Sequence, residues 1–137
     1  MKVLLDTCVL SEVNRENGLE AVRTAVEEIP EEHTFISVIT IGEIAKGIDL
    51  LEAGLRRKQL HSWLNATEIN YSDHLLGVDS AVARIWGELT AKAQRNGYTI
   101  QVADGIIAAT AIRHGCHVMT RNVSDFEPTG ALLTNPW

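Results

Sequence analysis

Strands alternating with amphipathic helices along the whole chain predict an α/β protein. The expected arrangement is three-layer α/β/α, around a mainly parallel central sheet of four to five strands. Three observations carry this. The chain opens on a continuous apolar run, Val3-Leu4-Leu5, as a strand covered on both faces requires. Segments with apolar residues at steps of three and four separate each candidate strand from the next. The 137 residues match one domain, 1–137, with no linker, repeat or low-complexity tract to divide it.

The elements follow in order. Lys2 to Asp6 reads as the first strand, with a short helix at Cys8 to Val13 behind it. Leu19, Val22, Val26 and Ile29 have helical spacing, and Pro30 stops that helix. A second strand occupies Thr34 to Ser37. Ile41, Ile44, Ala45, Ile48 and Leu51 mark a helix from Thr40 to Leu51 with its end at Gly54, and Leu55 to Leu64 continues as another. Leu75 to Val78 is the third strand. A long helix runs from Ser80 to Asn96, capped by Asp79-Ser80 and closed by Asn96-Gly97. Val102 to His114 is a helix rich in alanine, which implies close packing, and Gly115 ends it. His117 to Thr120 and an edge strand at Ala131 to Thr134 complete the sheet.

Composition narrows the function. No stretch approaches the ~18 uninterrupted apolar residues of a membrane span, and Asp6 interrupts the opening run too early for a signal peptide. A cytoplasmic protein without membrane contact is expected. Cys8 and Cys116 are isolated thiols without metal-type spacing, suited to packing in a reducing compartment. Eighteen acids against twelve Lys and Arg give a net charge of −6, which argues against broad binding of polyanions. That objection weakens where acids hold a divalent cation, because the cation reverses the local sign. The five histidines share no metal spacing, and Trp63 and Trp86 fall on helices where packing explains them. The single basic run, Arg56-Arg57-Lys58, suits a solvated helix face or a contact with RNA.

In a parallel sheet, ligands gather beyond the carboxyl ends of the strands. Asp6 stands at the first of these ends, either as the N-cap of the short helix or as a side chain delivered to the crevice. Glu43 shares a stripe with Ile39, Gly47 and Leu50 and is expected to lean toward the protein, with a Lys46 pair as the alternative. Asp104 precedes Ile107, Ala108 and Ala111 at i+3, i+4 and i+7, which puts it on the core-facing side of its helix, in the turn where the helix dipole favours an anion. Asn122 and Asp125 follow the fourth strand, where they serve a turn or join the other acids. Thr7, Ser37 and Thr120 are hydroxyl donors at the same strand ends.

As a set, these acids repel one another unless protonated or bound to cations. Hard oxygen ligands select Mg²⁺ or Mn²⁺ over zinc. Such a site suits phosphodiester hydrolysis, with Asp6 and Asp104 as direct ligands, Glu43 on a second ion or a water, and Asn122 near the phosphate.

The residues Leu4-Leu5-Asp6-Thr7, Ile36 through Glu43, Ala103 through Ala111, Thr120-Arg121-Asn122 with Asp125-Phe126, and Asn135-Pro136-Trp137, in this order and spacing, resemble the PIN-domain ribonucleases. The likeness is greatest to the toxins of VapC and FitB type. It implies a PIN-like fold, a Mg²⁺-dependent endoribonuclease acting on RNA, a homodimer, and neutralisation by a cognate DNA-binding antitoxin. The family's acidic roles fall on Asp6, Glu43 and Asp104. The fourth falls on Asn122, where relatives carry Asp, or on Asp125, an acidic position used by other members. Cys8 stands where Asn or Ser is common in the family. Two further readings start from the residues: a noncatalytic receiver-type or RNA- or protein-binding domain, and a phosphatase of dehalogenase type. A receiver wants adjacent acids after the first strand and a late Lys, and the phosphatase wants Asp at position 8; Thr7-Cys8 and Thr120-Arg121 stand there instead.

Overall fold

The computed structural model describes residues 1–137. Five strands form one parallel sheet in the order β3-β2-β1-β4-β5. They are β1 (Lys2–Leu5), β2 (Thr34–Ser37), β3 (Leu75–Leu76), β4 (Cys116–Met119) and β5 (Leu133–Thr134). The helices are α1 (Thr7–Asn14), α2 (Glu20–Glu27), α3 (Val38–Asp49), α4 (Leu55–Asn70), α5 (Ser80–Arg95), α6 (Val102–His114) and α7 (Val123–Phe126).

The opening run explains the two cores. Val3, Leu4 and Leu5 are all fully buried, and alternation along the strand sends them to opposite faces. Val3 and Leu5 join Val9, Val22, Ile36, Ile44, Ile48, Leu64 and Met119 under α1 to α4. Leu4 joins Val82, Leu89, Ile107, Ala108, Val118 and Phe126 under α5 and α6. A strand with apolar side chains on both faces is the central one of a three-layer sandwich, as expected.

Helix boundaries depart from expectation where polar groups do structural work. Helix α3 starts at Val38, two residues sooner than Thr40, because the Ser37 hydroxyl accepts from the Ile39 amide at 3.1 Å and caps it. It ends at Asp49, and Gly54 precedes α4 rather than closing α3. Helix α4 runs to Asn70, beyond the expected Leu64, because Thr67 takes a buried helical position by donating its hydroxyl to the Trp63 carbonyl at 2.9 Å. Strands β3 and β5 are only two residues long, as edge strands often are.

Helices α5 and α6 pack antiparallel. Asp79, the N-cap of α5, feels the charges of Arg113 and His114 at the end of α6, while Trp86 lies against Gly105 at its start. A Cβ on Gly105 would sit 2.9 Å from Trp86 Cδ1, so glycine is what allows this approach. Because α6 feeds β4, its first turn lies at the carboxyl edge of the sheet. The strand order reverses between β1 and β4, and that switch point opens a crevice at the same edge.

Candidate active site

Asp6 follows β1 at the switch point and is 4% exposed. It is the N-cap of α1, and its second oxygen reaches across to the end of β4. Oδ1 accepts from the Thr7 amide at 2.8 Å and caps α1, while Oδ2 accepts from the Thr120 hydroxyl at 2.8 Å and from the Cys8 thiol at 3.5 Å. Thr120, fully buried at the end of β4, also accepts from the Asn122 amide at 2.9 Å. One hydroxyl thus ties the ends of the two central strands together.

Glu43 requires a correction. The stripe it shares with Ile39, Gly47 and Leu50 is not the buried one: Thr40, Ile44 and Ile48 face the core, and Leu50 is 77% exposed. Glu43 is itself exposed, a step of helical rotation round from the core face. No ion pair with Lys46 forms. The Thr7 hydroxyl donates to Glu43 Oε1 at 2.7 Å and so holds it toward Asp6, above a groove of about 270 Å³ between α1, α3 and α4.

Asp104 lies in the first turn of α6 on the side that continues into Ile107, Ala108 and Ala111, all fully buried. Its carboxyl is pushed up to about 6, first by burial and then by the charges of Asp6, Glu43 and Asp125. Four acids from separate elements therefore share one field. No cation answers it: the ion pairs are Arg15–Glu12, Arg57–Asp49 and His61–Asp49, and Arg121 lies over the Trp137 ring, 5.8 Å from its centroid.

Asn122 and Asp125 are exposed at the rim, the first before α7 and the second within it. Ser37, fully buried at the end of β2, spends its hydroxyl on capping α3 rather than on the other hydroxyls. Cys8, expected as a buried packing residue, does pack against the first core but is only half-buried, and it also donates to Asp6. Burial is the main cause that raises its thiol pKa, so the donor proton is retained. The available signal was its place in the first turn of α1, two residues after Asp6. Elsewhere the thiol of Cys116 is free and buried, and Trp63 and Trp86 pack against the two cores as expected. No three His, Cys, Asp or Glu side chains are gathered as a finished ligand set, so the acids meet as a field rather than as a closed cage.

Comparison with known proteins agrees with this geometry. The PIN domain family profile matches residues 3–129. Toxin FitB of Neisseria gonorrhoeae is 34% identical over 136 residues, covering 98% of each chain, and the FitAcB crystal structure from that organism superposes with a TM-score of 0.92 at 34% identity, again covering 98% of each chain. VapC ribonuclease Y4jK of Sinorhizobium fredii is 35% identical, covering 98% of this chain and 97% of its own. A toxin-antitoxin complex from Klebsiella pneumoniae matches at 26% identity and a TM-score of 0.69, covering 99% of this chain and 98% of that one. The receiver and dehalogenase readings fall away, since the PIN domain profile spans residues 3–129 and the FitB match covers 98% of the chain at 34% identity; the chain belongs to the PIN-domain family.

Proposed function

We propose that the chain is a divalent-metal-dependent endoribonuclease toxin that hydrolyses RNA phosphodiester bonds at Asp6, Glu43 and Asp104, with Asn122 and Asp125 at the rim of the site. The observation that carries this reading is the Asp104 carboxyl, raised to about 6 among three acids and without a cationic partner. Two carboxylates about 4 Å apart repel by ~4 kcal/mol at an effective dielectric of 20, and a bound cation relieves this. The donors here are carboxylate, amide and hydroxyl oxygens apart from one protonated thiol, a set that fits Mg²⁺ or Mn²⁺.

Asp6 and Asp104 would hold the ion, with Glu43 beside it. When bound, the ion supplies positive charge that acidifies water and offsets the charge gathering on phosphorus. The chain's own groups do the rest. The Thr7 amide, Thr120 hydroxyl and Cys8 thiol fix both oxygens of Asp6. Glu43 spends Oε1 on Thr7, which leaves Oε2 to accept a proton from the attacking water. The Asn122 carboxamide, uncommitted to capping α7, donates to a phosphate oxygen.

The names of its relatives support the wider reading: FitB is called a toxin, Y4jK a ribonuclease, and the Klebsiella match a toxin-antitoxin complex. In this proposal a cognate DNA-binding antitoxin neutralises the chain, which acts as a homodimer in the cytoplasm; no helix is long and apolar enough to cross a membrane. The test uses purified chain and end-labelled RNA. Cleavage with Mg²⁺ or Mn²⁺, lost in EDTA and in Asp6→Asn, is expected. Cleavage that survives in both would remove the metal centre from the account.

A further inference from the structure

A second concavity, of about 430 Å³, opens at the same edge of the sheet, between the end of α5 and the segment from α7 to Gly130. Ser124 on its wall belongs to α7, the helix that also carries Asp125 and follows Asn122, so the cleft and the acid centre share that element. Its opposite wall carries Tyr98, whose placement is unusual. Tyr98 is 56% exposed and is the only aromatic among the exposed large apolar side chains. The backbone holds it there: its amide donates to the Ala93 carbonyl at 2.9 Å and that of Gly97 to Gln94 at 3.1 Å, with Gly97 at φ 84°, a complete Schellman closure of α5. Such a motif commonly tucks the residue at this position against the helix, whereas here the ring stays out over the cleft.

Only two charged residues line the cleft, Lys92 and Glu127, and neither forms an ion pair. A rigid exposed ring, an unpaired ammonium and a carboxylate, on elements next to a phosphodiesterase site, suit a base and its backbone phosphate. We propose that this cleft is a subsite for a single-stranded RNA nucleotide next to the scissile phosphate, an inference that rests on the ribonuclease reading above. The base stacks on Tyr98, a backbone phosphate meets Lys92, and Glu127 accepts from N–H donors on the base edge while repelling phosphate, which sets the direction of the strand.

The test measures binding apart from cleavage, by anisotropy of a labelled single-stranded RNA oligonucleotide titrated with the Asp104→Asn chain in Mg²⁺. Tyr98→Ala should weaken binding by roughly ten-fold, and Tyr98→Trp should restore it, because stacking needs an aromatic face and not a particular one. Lys92→Ala should lower the slope of affinity against salt by about one. Binding unchanged in Tyr98→Ala to within about two-fold, or equally weak in Tyr98→Ala and Tyr98→Trp, overturns the subsite, as does a parent chain that binds no RNA. The two readings separate cleanly. If Tyr98→Ala loses binding while the chain with Asp104 intact cleaves no RNA, the subsite stands and the nuclease falls; cleavage with normal binding by Tyr98→Ala gives the reverse.

Discussion

Asp6 and Asp104 come from distant parts of the sequence to the same crevice and are treated in opposite ways. Asp6 is almost fully buried, yet three donors from Thr7, Thr120 and Cys8 compensate its charge. Asp104 is half-buried and has no donor, and its carboxyl is raised to about 6. The fold thus builds one carboxylate into its framework at the switch point and leaves the other exposed to the field of its neighbours. The first belongs to the strands, and its orientation is set before any ligand arrives. The second is carried by a helix start whose position depends on how α6 packs, and its stability cost is relieved by whatever positive charge enters the site.

The largest expected effect tests the second half of that contrast. Asp104→Asn should reduce RNA cleavage by roughly 10³-fold, since it removes the charge of the proposed ligand carboxylate while leaving its shape. The same change should not harm the metal-free fold, because it removes repulsion. A fall of several degrees in melting temperature in EDTA would mean that Asp104 is a structural acid instead.

Thr120→Val tests the first half. It leaves the buried Asp6 Oδ2 with only the thiol and removes the hydroxyl that accepts from the Asn122 amide. The expected cost is about 1–3 kcal/mol in urea unfolding, with the Mn²⁺ concentration for half-maximal cleavage raised ~10–100-fold. If metal activation is unchanged while stability falls, Thr120 joins two strands and does nothing for Asp6.

This asymmetry also marks what was legible in the sequence. Asp104 was readable because the residues that place it, Ile107, Ala108 and Ala111, lie on its own helix, and periodicity reports the face of a helix. The same reasoning failed for Glu43. Its stripe borders the buried one, and what brings it to the site is the Thr7 hydroxyl, 36 residues away in sequence. The sheet was readable for a similar reason: the Val3-Leu4-Leu5 run requires two covered faces, and α5 and α6 carry their own caps at Asp79 and Gly115. The limits of α3 and α4 were not, since Ser37 and Thr67 spend hydroxyls on backbone inside the fold, where a polar residue reads as a surface position.

Gly105→Ala asks how firmly α6 is held, and its effect is smaller because two terms oppose. Alanine gains about 1 kcal/mol of helix propensity over glycine. Against that, the new Cβ falls 2.9 Å from Trp86 Cδ1 and 3.0 Å from Nε1, so the ring or the helix start must shift, at about 1–3 kcal/mol. A net loss of up to ~2 kcal/mol is expected, with a change in tryptophan emission and a several-fold fall in cleavage as Asp104 moves. A net rise in stability with unchanged emission would show the Trp86 contact to be soft.

The smallest effect is the pH dependence of stability without metal. An acid whose folded pKa is raised binds protons more readily in the native state, so it destabilises the fold fully at pH above about 6 and progressively less as the pH falls toward 3.8. Lowering the pH from 7 to 5 in EDTA should therefore stabilise the parent chain relative to Asp104→Asn, by on the order of 1 kcal/mol once solvent screening of a half-exposed group is allowed for. Asp49 and Asp79, whose pKa values are lowered, act in the opposite sense and only below this window, so they leave it clear. Parallel pH profiles for the two proteins would mean that neither burial nor the neighbouring acids raises the Asp104 carboxyl, and the contrast between Asp6 and Asp104 would lose its energetic basis.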